Sequence, residues 1–201
     1  MINIDKASMT DIDGIVEIHL AAFENFFLSS LGRKFLKIYY SSFVASKGGI
    51  VYCAKKEDDV VGFSACSYVS KDFNSSLINH NIFKFGLEIF ILLFSKPKAI
   101  VRLAKNMNKE RNDTSIKDTG GYAELYSIAV SPTCQGEGVG KRLLTATEED
   151  VKERNSHISL TTDYYNNEKT IGFYHSLGYE NYYDFVTYPN RRMWRMIKKL
   201  C

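Results

Sequence analysis

Residues 127–144, SIAVSPTCQGEGVGKRLL, contain three closely spaced glycines. Gly136, Gly138 and Gly140 lie within five residues, after an apolar run typical of a strand and before a run with helical spacing. Glycine adopts backbone conformations that other residues avoid, and the N–H groups at a helix N-terminus attract anions. The stretch therefore predicts a phosphate-binding turn between a strand and a helix.

Two common phosphate-binding loops do not fit this spacing. A P-loop needs GxxxxGK followed by Ser or Thr, whose hydroxyl holds magnesium. Here the glycines are one residue too close, and Lys141 is followed by Arg142, which excludes the P-loop. The dinucleotide fingerprint GxGxxG needs a third glycine where Lys141 stands, although Asp163 is a candidate for the acid that binds the ribose. A nucleotide-binding protein is therefore the weakest function class that we consider.

The N-terminal half predicts a strand, two helices and a hairpin. Ile2 and Ile4 alternate with polar residues, as in a strand, and Thr10 begins a capping-box-like helix start. A single amphipathic helix is expected over residues 26–46. Two strands are expected on either side of a charged turn at residues 57–59.

Residues 71–118 predict a helical insertion. It contains a Ser/Asn-rich loop, an apolar helix over residues 82–94, a second helix over residues 98–107 and a polar segment. The apolar helix is shorter than the roughly 18 residues that a membrane span needs. We therefore expect no integral membrane segment, and expect this helix to pack on the domain or on a partner, with attachment to a membrane surface as the lesser alternative.

The C-terminal part predicts a β-α-β unit, a further helix and a closing hairpin. The expected elements are strands at 122–130 and 157–163, helices at 140–155 and 167–177, and two strands joined across residues 189–190. The sum is an α/β fold in a single domain over residues 1–201. We expect a mixed, mostly antiparallel sheet of six or seven strands flanked by helices.

The composition indicates a soluble globular protein. Among 201 residues, 45% are hydrophobic and 24% charged, and the net charge of +3 is too small to predict nucleic-acid binding. The four cysteines form no CxxC pair and the four histidines have no metal-ligand spacing. The N-terminus lacks the apolar core of a signal peptide. We expect a cytoplasmic protein with reduced thiols and no metal.

Two motifs resemble one enzyme family. Residues 135–140, QGEGVG, fit the pattern Q/R-x-x-G-x-G/A, and residues 166–179, NNEKTIGFYHSLGY, fit N-x-x-A-x-x-F-Y-x-x-x-G-F/Y, with Thr170 in place of alanine. In this order and about thirty residues apart, they resemble the GCN5-related N-acetyltransferase (GNAT) family. The resemblance is close over residues 120–180 and extends to the N-terminal half only in the order of elements.

The resemblance implies acetyl-CoA as co-substrate, held by the strand before the glycines, the glycine turn and the later helix. The residues expected to contact it are Ile128, Ala129, Val130, Gln135, Gly136, Glu137, Gly138, Val139, Gly140, Lys141, Asn167 and Tyr174. A backbone N–H near Ala129 or Val130, at a bulge in the strand, would stabilise the oxyanion. Asn167 would contact the pantetheine or ribose, or cap the helix that follows it.

The chemistry implied by the resemblance needs an acid and a base. Tyr174 would protonate the departing thiolate, and the alternative is a core aromatic like its neighbour Phe173. Glu124 would accept the amine proton, and strand alternation places it on the face of Ile128 and Val130. Its alternative is a solvated carboxylate at the strand end.

The function implied is transfer of an acetyl group to a primary amine by direct attack in a ternary complex. The acceptor would be an amino sugar, another small amine or a protein amino group. Assembly of the protein into a homodimer is left open. Tyr188, Arg191 and Arg192 are expected either to bind an anionic acceptor or to form an exposed hairpin tip. The alternative function is a non-catalytic acyl-CoA-binding module.

Overall fold

A computed structural model describes residues 1–71, 73–98, 100–101, 105 and 118–201. In this part of the chain seven strands form one open sheet. The strands are β1 (Ile2–Lys6), β2 (Gly49–Lys56), β3 (Asp59–Ser67), β4 (Ala123–Val130), β5 (His157–Asp163), β6 (Glu180–Thr187) and β7 (Arg191–Lys199). The α/β class and the mixed sheet predicted from the sequence are confirmed.

The strand order is β1-β2-β3-β4-β5-β7-β6, and every neighbouring pair is antiparallel except β4 and β5. The parallel pair is short, because only Ala123–Leu125 is paired with Ile158–Leu160. Within the described residues, residues 126–130 and 161–163 extend beyond this ladder without pairing to each other. The sheet therefore opens between its two central strands.

Seven α-helices flank the sheet in the described residues. They are α1 (Ile12–Ala22), α2 (Phe27–Leu31), α3 (Arg33–Ala45), α4 (Phe73–His80), α5 (Ile82–Ser95), α6 (Val139–Lys152) and α7 (Glu168–Ser176). Helices α1 to α5 contribute to one core cluster, centred on Val16, Tyr40 and Phe63. Helices α6 and α7 pack against other clusters, which include Leu144 and Tyr174.

Three sequence predictions about the N-terminal half and the insertion were wrong. The single helix over residues 26–46 is two helices, because Gly32 lies between them with φ +93°, a value outside helical geometry. The capping box starts at Ser8 rather than Thr10, and the Ser8 backbone N–H donates to Asp11 Oδ2 at 2.8 Å. The Ser/Asn-rich loop is the short helix α4, whose Phe73 and Leu77 are buried in the core.

The segment predicted to be an insertion packs on the rest of the chain through one face of α5. Phe85 and Leu92 are buried in the same core cluster as α1 and α3, whereas Phe83 and Phe94 on the other face are 90% and 78% exposed. Most of the predicted second helix, residues 98–107, and the polar segment after it lie outside the described residues. The described part of the chain has no single helix that is long and apolar enough to cross a membrane, although α4 and α5 together, bent by 89°, match a broken span in length and composition.

Candidate functional site

A β-bulge in β4 sets the two faces of the strand that borders the site. Ala65 of β3 lies opposite Ser127 and Cys66 lies opposite Leu125, so Tyr126 is an additional residue without a partner in the β3–β4 ladder. A bulge of this kind changes which side chains point to which face. The bulge predicted near Ala129 or Val130 therefore lies at Tyr126.

The bulge corrects the predicted face of Glu124. Before it, Glu124 and Tyr126 share a face, and the Tyr126 ring lies 5.7 Å from that of Phe43 in α3. After it, Ile128 and Val130 pack on the opposite side, in the cluster that contains α6. Simple alternation along β4 placed Glu124 on the face of Ile128 and Val130. That prediction is wrong because alternation does not allow for the extra residue at the bulge.

The glycine turn lies at the N-terminus of α6. Gly136 has φ +85° and Gly138, the N-cap residue, has φ +73°, both in the left-handed region that favours glycine. Apart from the adjacent residues in the chain, no described atom lies within 4 Å of a Cβ built on either residue, so backbone conformation rather than crowding requires glycine there. The first-turn N–H groups of α6 have no intrahelical acceptor and no acidic neighbour in that turn, which suits an anion.

Side chains attach this turn to the sheet. Gln135 Nε2 donates to the carbonyl of Val130 at 3.2 Å, which joins the start of the turn to the end of β4. Arg142 Nη2 donates to the carbonyl of Ile2 at 2.8 Å and so joins α6 to β1. Lys141 is exposed and borders the cavity described next, so it is the cation of this turn that is placed to meet an anion.

A cavity of about 1310 Å³ lies where β4 and β5 separate. The glycine turn, α6 and α7 border it on one side, and α1, α2 and the β6–β7 hairpin border it on the other. The predicted residues that line it are Ile128, Ala129, Val130, Gln135, Gly136, Gly138, Val139, Gly140, Lys141, Asn167 and Tyr174. Glu137 and Glu124 are not among the described lining residues.

Tyr174 is a buried phenol at the cavity wall. Its side chain is 7% exposed, and its ring centroid lies 5.3 Å from that of Phe173 and 5.6 Å from that of Tyr179. Burial raises the pKa of Tyr174 to about 12, so the phenol carries its proton at neutral pH. Phe173, which the sequence assigned to the core, is half-buried and also borders the cavity.

Glu124 is held in a polar cluster away from the cavity. Its Oε1 accepts from Arg195 Nη1 at 2.9 Å, and its other oxygen accepts from the Ser70 hydroxyl. Arg195 is 3% exposed and also lies 3.4 Å from a carboxylate oxygen of Asp118. The structure thus places Glu124 in a buried ion-pair network and does not bring it to Tyr174.

Asn167 connects β5 to α7. It is the N-cap residue of α7, but its side chain does not cap that helix. Its Nδ2 donates instead to Thr162 Oγ1 at 2.6 Å and to the carbonyl of Asp163 at 3.1 Å. Asn167 therefore fixes the end of β5 where this strand borders the cavity.

The arginines of the closing hairpin are paired within the chain. Arg191 makes a two-pronged ion pair with Asp163, at 2.5 and 2.7 Å, and its guanidinium lies 4.7 Å from the ring centroid of Phe26. Arg192 donates to Asp184 at 2.6 Å. Tyr188, at the hairpin tip, is 41% exposed. Because carboxylates already offset both guanidinium charges, these residues offer little free charge to an anionic acceptor.

His19 also belongs to this site, although the sequence did not predict it as a site residue. It borders the cavity from α1, is 2% exposed, and its Nδ1 lies 2.7 Å from the Tyr40 hydroxyl. Burial lowers the pKa of His19 to about 4, so the ring is neutral at pH 7. No sequence signal pairs His19 with a tyrosine 21 positions away.

These features are typical of proteins that bind a phosphate-bearing ligand at a helix N-terminus, next to a strand whose edge is open. The model of the acetyltransferase (GNAT) family matches residues 12–179. The chain therefore belongs to the GNAT family, which implies acetyl-CoA-dependent acyl transfer.

Solved structures of GNAT acetyltransferases share the fold. The chain is 15% identical to the ribosomal-protein-S18-alanine N-acetyltransferase of Escherichia coli, with a TM-score of 0.62 over 100% of this chain and 94% of that one. It is 14% identical to the PaiA N-acetyltransferase of Thermoplasma acidophilum, solved in complex with coenzyme A, with a TM-score of 0.60 over 99% of both chains. A search of curated protein sequences gave no significant match. In the described residues, no group of three or more His, Cys, Asp or Glu side chains is arranged to hold a metal ion.

Proposed function

We propose that this protein is an N-acetyltransferase that moves the acetyl group of acetyl-CoA to a primary amine by direct attack in a ternary complex. The observation that carries the proposal is that one cavity of about 1310 Å³ contains both the glycine turn and a separate, mostly apolar wall from α1 and α2. Such a cavity has room for a donor on one side and an acceptor on the other.

The donor side fits acetyl-CoA. The first-turn N–H groups of α6 and the ammonium of Lys141 would bind the pyrophosphate, with Gly136 and Gly138 providing the turn. Residues 126–130 of β4, which lack a strand partner on the β5 side among the described residues, would bind the pantetheine amides. Acetyl-CoA supplies the thioester that is cleaved.

The chain supplies two groups for the transfer. Tyr174 donates its proton to the thiolate as it leaves, because the buried phenol carries its proton at neutral pH. A backbone N–H near Ala129 or Val130 donates to the developing oxyanion. Glu124 remains a predicted base, but its pairing with Arg195 favours a structural role.

Replacement of Tyr174 by Phe tests this assignment. We expect kcat to fall by about 100-fold, the usual contribution of a general acid, with little change in the Kd for acetyl-CoA. The measurements are release of free thiol with 2-phenylethylamine, glucosamine and an alanine-leading peptide as acceptors, and calorimetry with acetyl-CoA. Tyr182→Phe, at a 38% exposed position of β6, is the matched control.

Three outcomes would contradict the proposal. Binding of acetyl-CoA without turnover on any of these amines favours the non-catalytic acyl-CoA-binding module. A stable acetyl-enzyme would exclude direct attack. Binding of ATP or NAD without binding of coenzyme A would favour a nucleotide-binding protein.

A further inference from the structure

His19 has one ring nitrogen in use and one free. Its Nδ1 is hydrogen-bonded to the Tyr40 hydroxyl at 2.7 Å, whereas Nε2 is buried and has no hydrogen-bond partner among the described residues. A buried polar atom without a partner destabilises the folded protein, so it calls for an explanation. Because His19 borders the cavity, a ligand whose binding uncovers Nε2 can supply the missing partner.

The His19 ring lies on the acceptor face of β4. Its centroid is 6.4 Å from that of Phe63, and Phe63 is the residue of β3 paired with Ala129. Tyr40, which contacts Nδ1, also lies close enough to the Ser127 side chain of β4 to interact with it. His19 and Ser127 both line the cavity, as does Ala129, near which the acetyl group is expected.

The cavity wall around His19 is apolar and has no unpaired charge among its described residues. Phe23, Phe26 and Phe27 contribute to it, and the two charged residues on this side, Asp163 and Arg191, pair with each other. An ammonium group would lose its hydration there without gaining a counter-ion. The wall therefore favours a neutral amine carried on an uncharged, apolar or aromatic group.

We propose that His19 is the general base of the reaction, with Nε2 accepting the proton of the attacking amine, and that Tyr40 is a positioning residue that fixes the imidazole ring. The inference rests on the proposed acetyltransferase function. It requires the tautomer in which Nδ1–H donates to the Tyr40 hydroxyl, which leaves the Nε2 lone pair free for the substrate.

The proton and bond changes balance as follows. The amine nitrogen forms a bond to the thioester carbon, the C–S bond breaks, and the nitrogen gives one proton to His19 Nε2. Tyr174 gives its proton to the departing sulfur and regains one from water, while His19 releases its proton to water. The amine nitrogen becomes cationic and strongly acidic once the N–C bond forms. A weak base such as a buried imidazole can therefore accept its proton.

Chemical rescue tests the inference. We expect His19→Ala to lower kcat by about 100-fold or more with 2-phenylethylamine as acceptor, with the Kd for acetyl-CoA retained. Added imidazole should restore part of kcat because the truncated side chain leaves a ring-sized space that opens to the cavity. Pyrrole, which has the same ring size but no basic nitrogen, should not restore it. Equal rescue by both molecules, or no loss of kcat, would overturn the inference.

Further variants separate a base from a structural residue. His19→Gln preserves most of the side-chain volume without a comparable base, so it should be as slow as His19→Ala while folding normally. Tyr40→Phe should lower kcat less than either and should not respond to imidazole. His157→Ala, outside the cavity, should match the wild type.

Failure of the proposed function can be distinguished from failure of this inference. A wild type that binds acetyl-CoA but acetylates neither 2-phenylethylamine, glucosamine nor an alanine-leading peptide overturns the proposed function, and this inference with it. An active wild type with an equally active His19→Gln variant overturns the inference alone. Faster turnover of glucosamine than of 2-phenylethylamine would overturn the inference that the acceptor amine is carried on an apolar or aromatic group.

Discussion

Burial controls the protonation of His19 and Tyr174, two of the titratable side chains that line the cavity. It lowers the pKa of His19 to about 4 and raises that of Tyr174 to about 12, because a low dielectric disfavours each charged form. Both side chains are consequently neutral between these values, one able to accept a proton and the other able to donate one. The sequence identified Tyr174 by its motif, but the shift of either group depends on tertiary packing.

The pKa of His19 predicts a pH-dependent stability. Between its ordinary value of 6.5 and the folded value of about 4, the unfolded chain binds a proton that the folded protein does not. Stability therefore falls as pH falls through this window, by about 2 kcal/mol from about pH 7 to about pH 5, at 1.36 kcal/mol per pKa unit. Urea unfolding at both pH values should show a smaller loss in the free energy of unfolding for His19→Gln than for the wild type, since glutamine does not titrate. Equal losses of stability in the wild type and in His19→Gln would contradict the lowered pKa of His19.

At the scale of elements, the sequence specified the glycine turn far better than the strand before it. The spacing of Gly136 and Gly138 is local information, and both residues have the positive φ that their position requires. The bulge at Tyr126 depends on how β3 aligns with β4, which is not encoded in the local pattern of β4. This is why the turn was predicted correctly while the face of Glu124 was not.

Alanine substitutions at two glycines should have opposite effects on stability. Gly138→Ala places a Cβ on a residue with φ +73°, which should destabilise the protein by about 1–2 kcal/mol. Gly172→Ala, at an exposed position inside α7 where a Cβ meets no atom within 4 Å, should stabilise it by about 0.5–1 kcal/mol. Thermal unfolding of both variants measures the difference. A Gly138→Ala variant as stable as the wild type would show that the turn adapts without strain.

At the scale of the whole molecule, the order of elements could be predicted from periodicity, while the role of the insertion could not. The apolar residues of α5 are distributed around the helix, so the sequence did not indicate which of them face the core. In the structure Phe85 packs edge to face with Phe35 of α3 at 5.6 Å, whereas Phe83 is 90% exposed. The homodimer considered from the sequence stays a prediction, which light scattering would test.

The packing of α5 predicts that the insertion and the sheet unfold together. Phe85 belongs to the core cluster that contains Val16 and Phe63, so Phe85→Ala should lower the free energy of unfolding by about 3–5 kcal/mol. It should do so in a single urea transition with an unchanged slope. Phe83→Ala, on the exposed face of the same helix, should change stability by less than about 0.5 kcal/mol. If Phe85→Ala instead produced a separate early transition and left the main one at its wild-type midpoint, α5 would be an independently unfolding appendage rather than part of the domain core.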